Sequence, residues 1–425
     1  MSGPDPVNKR KLLVILGAGS SIPCGMPSVT ELNGRMKEWS KEWADPPVFP
    51  PGAIGEGVFN DMWGFVERYL AEKPRPQLGL TLGYERILGE MISLASWTAP
   101  SPFGNPLRAA VCDPHTSPKF SWPPGKEGDH YYQHLILNQL GFLLRKLAEF
   151  MRGRCRDFHM QTQEFATYRQ IVDALRDEFE VGIYTLNYDN LALRAWPEAF
   201  TGFQAGRFDS QAIATRQSWE FIYHLHGSVH YSLTGMVSQN EMTWIDDLSA
   251  NFEDSRHLMP NMASNFIPII PTTLIAGGYK LDQLLADPAQ SFYASLVRHM
   301  HTADAILIAG YGFGDVHVNR ALKNKFDIHL SNPNTRPPVA VITKTAPQAG
   351  TIGEREGHEL YAWELTHSLN SRFSRVGSAL QHISLETLIA NHAFEYDNIQ
   401  RTAVSHVGLL EMVPHLTRLI QHLAS

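Results

Sequence analysis

Four short segments carry residue types suited to chemistry, and each follows an apolar run that reads as a buried strand. The first is Gly17-Ala18-Gly19-Ser20-Ser21, after Lys11–Leu16. Glycines at such a place let the backbone approach a phosphate, and a nearby helix N-terminus adds partial positive charge. The full GxGxxG fingerprint fails because position 22 is isoleucine, and a tight turn that binds nothing explains the segment equally well. The second is Thr185-Leu186-Asn187-Tyr188-Asp189. An amide and a carboxylate two residues apart suit a ligand crevice at the carboxyl end of a strand, or else cap the next helix.

The third segment is His224-Leu225-His226-Gly227-Ser228. Two histidines in an HxH pattern could share a metal, with His230, His299, His301 or His317 as further ligands. No acidic partner sits at a recognised ligand spacing, so His226 alone, as a general base at a strand end, is the better reading. The fourth is Ile306–Asp315, where a strand ends in Gly310-Tyr311-Gly312-Phe313-Gly314-Asp315. Small residues there make room for a ribose or an adenine, or simply for a tight strand–helix turn.

These segments need a sheet to hold them. Lys11–Leu16, Val181–Leu186, Trp219–Leu225, Ile267–Ile270, Asp304–Ala309 and Val339–Thr343 are apolar and rich in β-branched or aromatic residues, which predicts strands. Ser28 with Glu31 is a capping-box signal for a helix to about Trp43. Helical spacing recurs over Val58–Glu72, Tyr84–Trp97, His130–Arg154, Gln161–Phe179, Leu281–His301 and Val316–Phe326. Seven prolines between Pro100 and Pro124 predict an extended loop, a candidate lid. The alternation predicts an α/β fold: a doubly wound, Rossmann-like parallel sheet with a large helical insertion and a mainly helical C-terminal section. The expected division is a dinucleotide-binding domain from 1–45 and 161–350, an insertion over 46–160 and a C-terminal section over 351–425. In the last of these, Val407, Leu410, Val413, Leu416, Ile420 and Leu423 recur at helical spacing within Val404–Leu423. They predict a core helix, or else an oligomer interface, kinked or split at Pro414.

Composition excludes several classes. Lys plus Arg is 36 and Asp plus Glu 43 in 425 residues, so the net charge of −7 argues against a dedicated nucleic-acid binder. With 43% hydrophobic residues the chain can bury a large core. Cys24, Cys112 and Cys155 are too scattered for a zinc module or a disulfide framework. The polar Met1–Arg10 segment is no signal peptide, and no apolar run is long enough to span a bilayer, so the cytoplasm is the expected compartment.

Taken in order, GAGSS, TLNYD, HLHGS and LIAGYGFGD resemble the motif set of the sirtuin-like superfamily, in its prokaryotic branch. The resemblance covers about Leu12–Arg35 and Val181–Thr345. It implies that Gly17, Ala18, Gly19, Ser20 and Ser21 hold the pyrophosphate of NAD. It places Asn187 beside the nicotinamide ribose, Asp189 on the nicotinamide carboxamide and His226 as the catalytic histidine. Gly310, Tyr311 and Gly312 would lie under the adenosine ribose, and Thr343 near the adenine. Two departures matter. The four-cysteine zinc ribbon of sirtuin deacylases is missing, and Ser28-Val29-Thr30 stands where deacylases have Asp-Phe-Arg.

The resemblance therefore implies NAD as substrate, no bound metal, and hydrolysis of NAD⁺ to ADP-ribose and nicotinamide. It points to the NAD-depleting effectors of bacterial anti-phage systems. An NAD-dependent protein deacylase and a non-catalytic NAD or ADP-ribose sensor are the rival readings. A homo-oligomer is expected, with a HerA/FtsK-type ATPase or a short Argonaute as a plausible partner.

Overall fold

The structure is a computed structural model. It describes residues 9–42, 62–64, 66, 83–97, 129–234, 241–254, 272–276, 284, 286–328, 335–344, 394–397, 401–405 and 407–425. The predicted strand at Ile267–Ile270 and the Pro-rich segment 100–124 lie outside the described residues, as does most of the predicted helix at Val58–Glu72.

The chain opens with strand β1 (Arg10–Leu16), whose last five residues are all buried. Two 3-10 turns follow, at Ala18–Ser20 and Ile22–Cys24, and then helix α1 (Val29–Glu42). Ser28 starts that helix as its sequence suggests: its hydroxyl accepts the Glu31 N–H at 3.1 Å. Helices α2 (Tyr84–Trp97), α3 (Asp129–Arg156) and α4 (Gln163–Glu178) come next, then strand β2 (Phe179–Thr185). The middle of the chain supplies α5 (Leu191–Ala195), β3 (Phe203–Gln204), β4 (Arg207–Phe208), α6 (Ser210–Thr215), β5 (Phe221–His224), β6 (Tyr231–Thr234) and β7 (Glu241–Trp244). Helix α7 (Ala289–Thr302), strand β8 (Ala305–Ala309), helix α8 (Val316–Ile328) and strand β9 (Val339–Ile342) follow. The chain ends with β10 (Glu395–Asp397), β11 (Thr402–Ser405), a 3-10 turn at Leu410–His415 and helix α9 (Leu416–Ala424).

The main sheet runs β10-β11-β9-β8-β1-β2-β5. Six strands are parallel, and β10 alone pairs antiparallel, on β11. β1 sits centrally, with β8 on one side and β2 on the other. This is the doubly wound α/β architecture expected from the sequence, in which ligands bind beyond the carboxyl ends of the strands where the winding reverses. A second antiparallel sheet, β3-β4-β7-β6, packs through Phe203, Phe208 and Tyr231 onto the cluster that holds Leu13 and Ile15 of β1.

Both faces of the main sheet are covered, as an all-apolar parallel strand requires. Leu12, Val14 and Leu16 of β1 enter one apolar cluster, and Leu13 and Ile15 enter the other, following the two-residue period of a strand. The first cluster is shared with the insertion. Met36 and Trp39 of α1, Ile87 and Met91 of α2, and Leu140, Leu144 and Met151 of α3 pack into it beside Val181 and Ile183. The insertion helices thus cap the sheet rather than forming a core of their own.

Among its described residues the C-terminal section carries strands as well as helix. Residues 402–405, including Val404, form β11, and Glu395–Asp397 adds the outermost strand β10. Helix α9 begins only after Pro414, as a split at that proline requires. Leu416, Leu419 and Leu423 are buried in the shared core, and Val407, Leu410, Val413 and Ile420 pack against it. Leu416, Leu419 and Leu423 thus use this face inside the chain, as the core reading expects. Helix α7 also starts later than its spacing predicts, at Ala289, directly after Pro288. Among the described residues, no helix is long and apolar enough to cross a membrane.

Candidate active site

The four motifs meet at the carboxyl ends of β1, β2, β5 and β8. There they line a cavity of about 470 Å³. Its floor is the meeting of two glycine turns. Gly17 N–H donates to the Ala309 carbonyl at 3.0 Å, and Gly19 N–H to the Gly310 carbonyl at 2.9 Å. Gly310 takes a positive φ of 63°, and a Cβ there would lie 2.1 Å from the Ser20 nitrogen. The glycines are needed for this backbone-on-backbone packing. The packing also occupies amides: Ser20 N–H donates to Gly17 and Ser21 N–H to Ala18, each to the carbonyl. Of the five loop amides only that of Ala18, which lines the cavity, makes no such bond among the described residues.

Asn187 ties the end of β2 to this loop. Its Nδ2 donates toward the Gly17 carbonyl at 3.0 Å, Ser21 Oγ at 2.9 Å and Ser20 Oγ at 3.3 Å. With the donor end held this way, the Oδ1 acceptor accepts nothing from the described residues, and Asn187 lines the cavity. Asp189 stands beside it, 5% exposed. One carboxylate oxygen accepts the Leu191 N–H at 3.1 Å, so Asp189 holds the start of α5 while Asn187 does not, and Asn190 stands at the N-cap itself. Ser21, which holds Asn187 Nδ2 at 2.9 Å, also acts on this carboxylate. Burial raises the Asp189 pKa above the ordinary carboxylate value, and the Leu191 and Ser21 bonds pull it back.

The two histidines of the HxH pattern do not converge. His224 Nδ1 faces the Asn187 backbone carbonyl at 3.3 Å, while its Nε2 is buried without a partner. His226 lines the cavity, and its Nε2 lies 2.7 Å from Asp315 Oδ2. His230 is held elsewhere, between Asn190 Nδ2 at 3.0 Å and the Ile245 carbonyl at 2.8 Å, and stacks on Trp244. His299 is paired with the Tyr184 hydroxyl at 2.8 Å inside the core. Among the described residues no cluster of three metal-ligating side chains occurs.

The sequence motifs assign Asp315 no role. Its signal was present as the last residue of the Gly310–Asp315 turn, opening a helix, but no spacing rule pairs it with His226. Tyr311 shapes that turn: its hydroxyl accepts the Asp315 N–H at 3.0 Å and donates to Asn319 Oδ1 at 2.9 Å. Gly312 lines the cavity with open space where a Cβ would stand. Thr343 is not among the lining residues. It lies just beyond β9, its N–H on the Ser405 carbonyl and its own carbonyl accepting the Gly408 N–H.

The insertion walls the opposite side with Tyr84 and Glu85 from α2 and Met151 from α3. Buried Arg152 of α3 also clamps the loop after β5, donating to the Val229 carbonyl at 2.6 Å with its guanidinium 4.1 Å from the Phe252 ring centroid. Glu85, Asp189 and Asp315 put three carboxyl groups on the wall, and no lysine or arginine of the described residues lines it.

Burial leaves a mark on acid stability. Desolvation pushes His224 and His299 down to about 3, well below the ordinary histidine value near 6.5. Both are neutral in the fold but protonate in the unfolded chain, so the unfolded state binds more protons between about pH 3 and 6.5. Stability contributed by these sites is full above about pH 6.5 and falls as pH drops toward 3. Thermal melts across that range should show a steadily falling Tm; a flat Tm from pH 6.5 to 4.5 would contradict it.

Comparison with known proteins agrees with the last three motifs. Residues 181–362 match the family model described as a SIR2-like domain. The chain carries a SIR2-like domain. No curated protein matches it. Among solved structures, it is similar to a mutant Sir2 homologue in complex with 2′-O-acetyl ADP-ribose, at 13% identity and a TM-score of 0.30, covering 89% of this chain and 95% of that one. It is also similar to a mutant Sir2 homologue in complex with ADP-ribose, at 12% identity and a TM-score of 0.30, covering 88% and 94%. A third is Sir2Tm bound to a propionylated peptide, at 12% identity and a TM-score of 0.27, covering 80% and 83%. The assignment rests on the match over residues 181–362, which contains Asn187, Asp189, His226, Gly310 and Asp315.

Proposed function

We propose that the SIR2-like domain is an NAD⁺ glycohydrolase, cleaving NAD⁺ with water to ADP-ribose and nicotinamide. The observation that carries this reading is the convergence of Asn187 and His226, from the ends of neighbouring strands β2 and β5, on one cavity. Binding alone requires neither a locked amide with an available Oδ1 nor a buried histidine paired to a carboxylate. The acidic wall suits a substrate whose leaving group is a cation.

In the reaction the C–N bond to nicotinamide breaks and the leaving group takes the bonding pair, which neutralises its charge. A cationic leaving group needs no strong general acid. The transition state has oxocarbenium character, by analogy with glycoside hydrolysis. A water oxygen bonds to the anomeric carbon, and Asn187 Oδ1 is the acceptor that orients this water or a ribose hydroxyl. His226 takes the proton that the water releases, a contribution typically worth about 10²–10⁴-fold. Asp189, beside Asn187, is the group for the nicotinamide carboxamide. Ala18 supplies the amide for a phosphate oxygen, and Gly312 leaves room for the adenosine side.

Free NAD hydrolysis would exhaust a shared metabolite, so restraint fits this activity. Tyr84, Glu85 and Met151 place the helical insertion on the cavity wall, where a small shift would misalign the site. This supports a gated effector, of the kind used in bacterial anti-phage defence by NAD depletion, held in check by self-assembly or by a partner such as a HerA/FtsK-type ATPase or a short Argonaute. Chromatographic product analysis of NAD⁺ incubated with the purified chain, alone and with the product of the neighbouring gene, tests the reading. Equimolar ADP-ribose and nicotinamide are expected. Acetyl-ADP-ribose formed only with an acetylated peptide would make it a deacylase, and intact NAD⁺ under every condition would make it a sensor.

A further inference from the structure

Asp315 is buried and fixed on both of its oxygens. Oδ1 accepts the N–H groups of His317 at 2.9 Å and Val318 at 3.1 Å, in the first turn of α8. Oδ2 lies 2.7 Å from His226 Nε2, and the Tyr293 hydroxyl of α7 donates to it at 3.3 Å. Asp315 is 5% exposed and His226 6%. Among the described residues, the titratable groups around the pair include Tyr293 from α7, Tyr311 in the turn and His317 on α8.

With Asp315 ionised, its carboxylate only accepts, and the 2.7 Å contact then places a proton on His226 Nε2. In the neutral ring the lone pair then sits on Nδ1. The backbone of His226 is fixed as well, because its carbonyl accepts the Ile275 N–H at 2.8 Å. We propose that Asp315 is a positioning residue that holds His226 as the Nε2–H tautomer, which makes Nδ1 the atom that receives the proton from water. This rests on the NAD-cleavage reading for its consequence in catalysis, although the tautomer itself does not. When Nδ1 takes the proton the ring becomes an imidazolium, and its Nε2–H stays on the Asp315 carboxylate, which balances the new charge. No bond to Asp315 forms or breaks.

Asp315→Asn separates this role from a structural one. The asparagine Oδ1 keeps both helix-capping bonds, while its Nδ2 presents N–H to His226 and favours the opposite tautomer. The expected result is a fall in kcat on the order of 10²–10⁴-fold, with KM changed less than about threefold and Tm nearly unchanged. Long-range ¹H–¹⁵N spectra of ¹⁵N-histidine-labelled protein, with His226 assigned by its loss in His226→Gln, should show Nε2–H in the wild type and Nδ1–H in Asp315→Asn. A wild-type Nδ1–H signal, a tautomer unmoved by the substitution, or an unchanged kcat overturns the proposal. If the wild type cleaves no NAD⁺, the functional reading fails, while the spectra still decide the role of Asp315.

Discussion

Replacing His226 with alanine is expected to lower NAD⁺ cleavage by at least 10²-fold and toward 10⁴-fold, the usual span for a positioned general base. Replacing Asn187 with alanine should cost as much in rate, for a different reason. Asn187 carries two jobs in one side chain. Its Oδ1 is the acceptor presented to the cavity, and its Nδ2 holds Gly17, Ser20 and Ser21 in place. Alanine removes the first and deletes the bonds of the second, although the Gly17 carbonyl keeps the Ser20 N–H and hydroxyl, at a cost of roughly 0.5–1.5 kcal/mol of stability per bond lost. His226→Ala should be milder on the fold, because Asp315 keeps its two backbone donors and Tyr293. The measurement is the initial rate of nicotinamide release beside urea denaturation of each variant. Near wild-type turnover in a folded variant would remove that residue from the mechanism.

Much of this site could be read from the sequence, because each motif is contiguous and follows a buried strand. The strand cores at Arg10–Leu16, Phe179–Thr185, Phe221–His224, Ala305–Ala309 and Val339–Ile342 all lie within about two residues of their predicted ranges. Continuous apolar runs bounded by glycine or polar residues leave little alternative. What was missed depended on contacts between distant parts of the chain. The bond between His226 and Asp315 joins a strand end to a helix start 89 positions away, and no local rule connects them. Strands β10 and β11 were hidden because Thr402–Ser405 is too short for its period to be seen, and because its neighbour β9 lies about sixty residues earlier. The β3-β4-β7-β6 sheet is likewise made of pieces of two to four residues. The glycines of the GAGSS turn were read as making room for a phosphate. In the fold, Gly17 and Gly19 make room first for Gly310, a requirement visible only once β1 and β8 are neighbours.

That close approach makes Gly310→Ala the substitution expected to damage the fold most. The new Cβ would lie 2.1 Å from the Ser20 nitrogen and 2.4 Å from the Gly19 carbonyl carbon. Both are backbone atoms, so no rotamer change relieves the overlap. The positive φ of 63° adds strain for any residue with a Cβ. Relief requires the turns after β1 and β8 to separate, which weakens the Gly19 to Gly310 bond of 2.9 Å and shifts the carbonyl that Asn187 holds. Strain and weakened buried bonds together should cost roughly 2–5 kcal/mol, a large share of the ~5–15 kcal/mol typical of a folded protein. Activity should fail before the fold does, since a displacement of about 1 Å at a reacting group can cost 10²-fold in rate. Gly312→Ala is the matched control, because its Cβ would meet nothing within 4 Å. It should change stability by less than about 1 kcal/mol and act only by narrowing the cavity, as a raised KM. Equal urea midpoints for Gly310→Ala and Gly312→Ala would mean that the two turns are not packed as tightly as these contacts require.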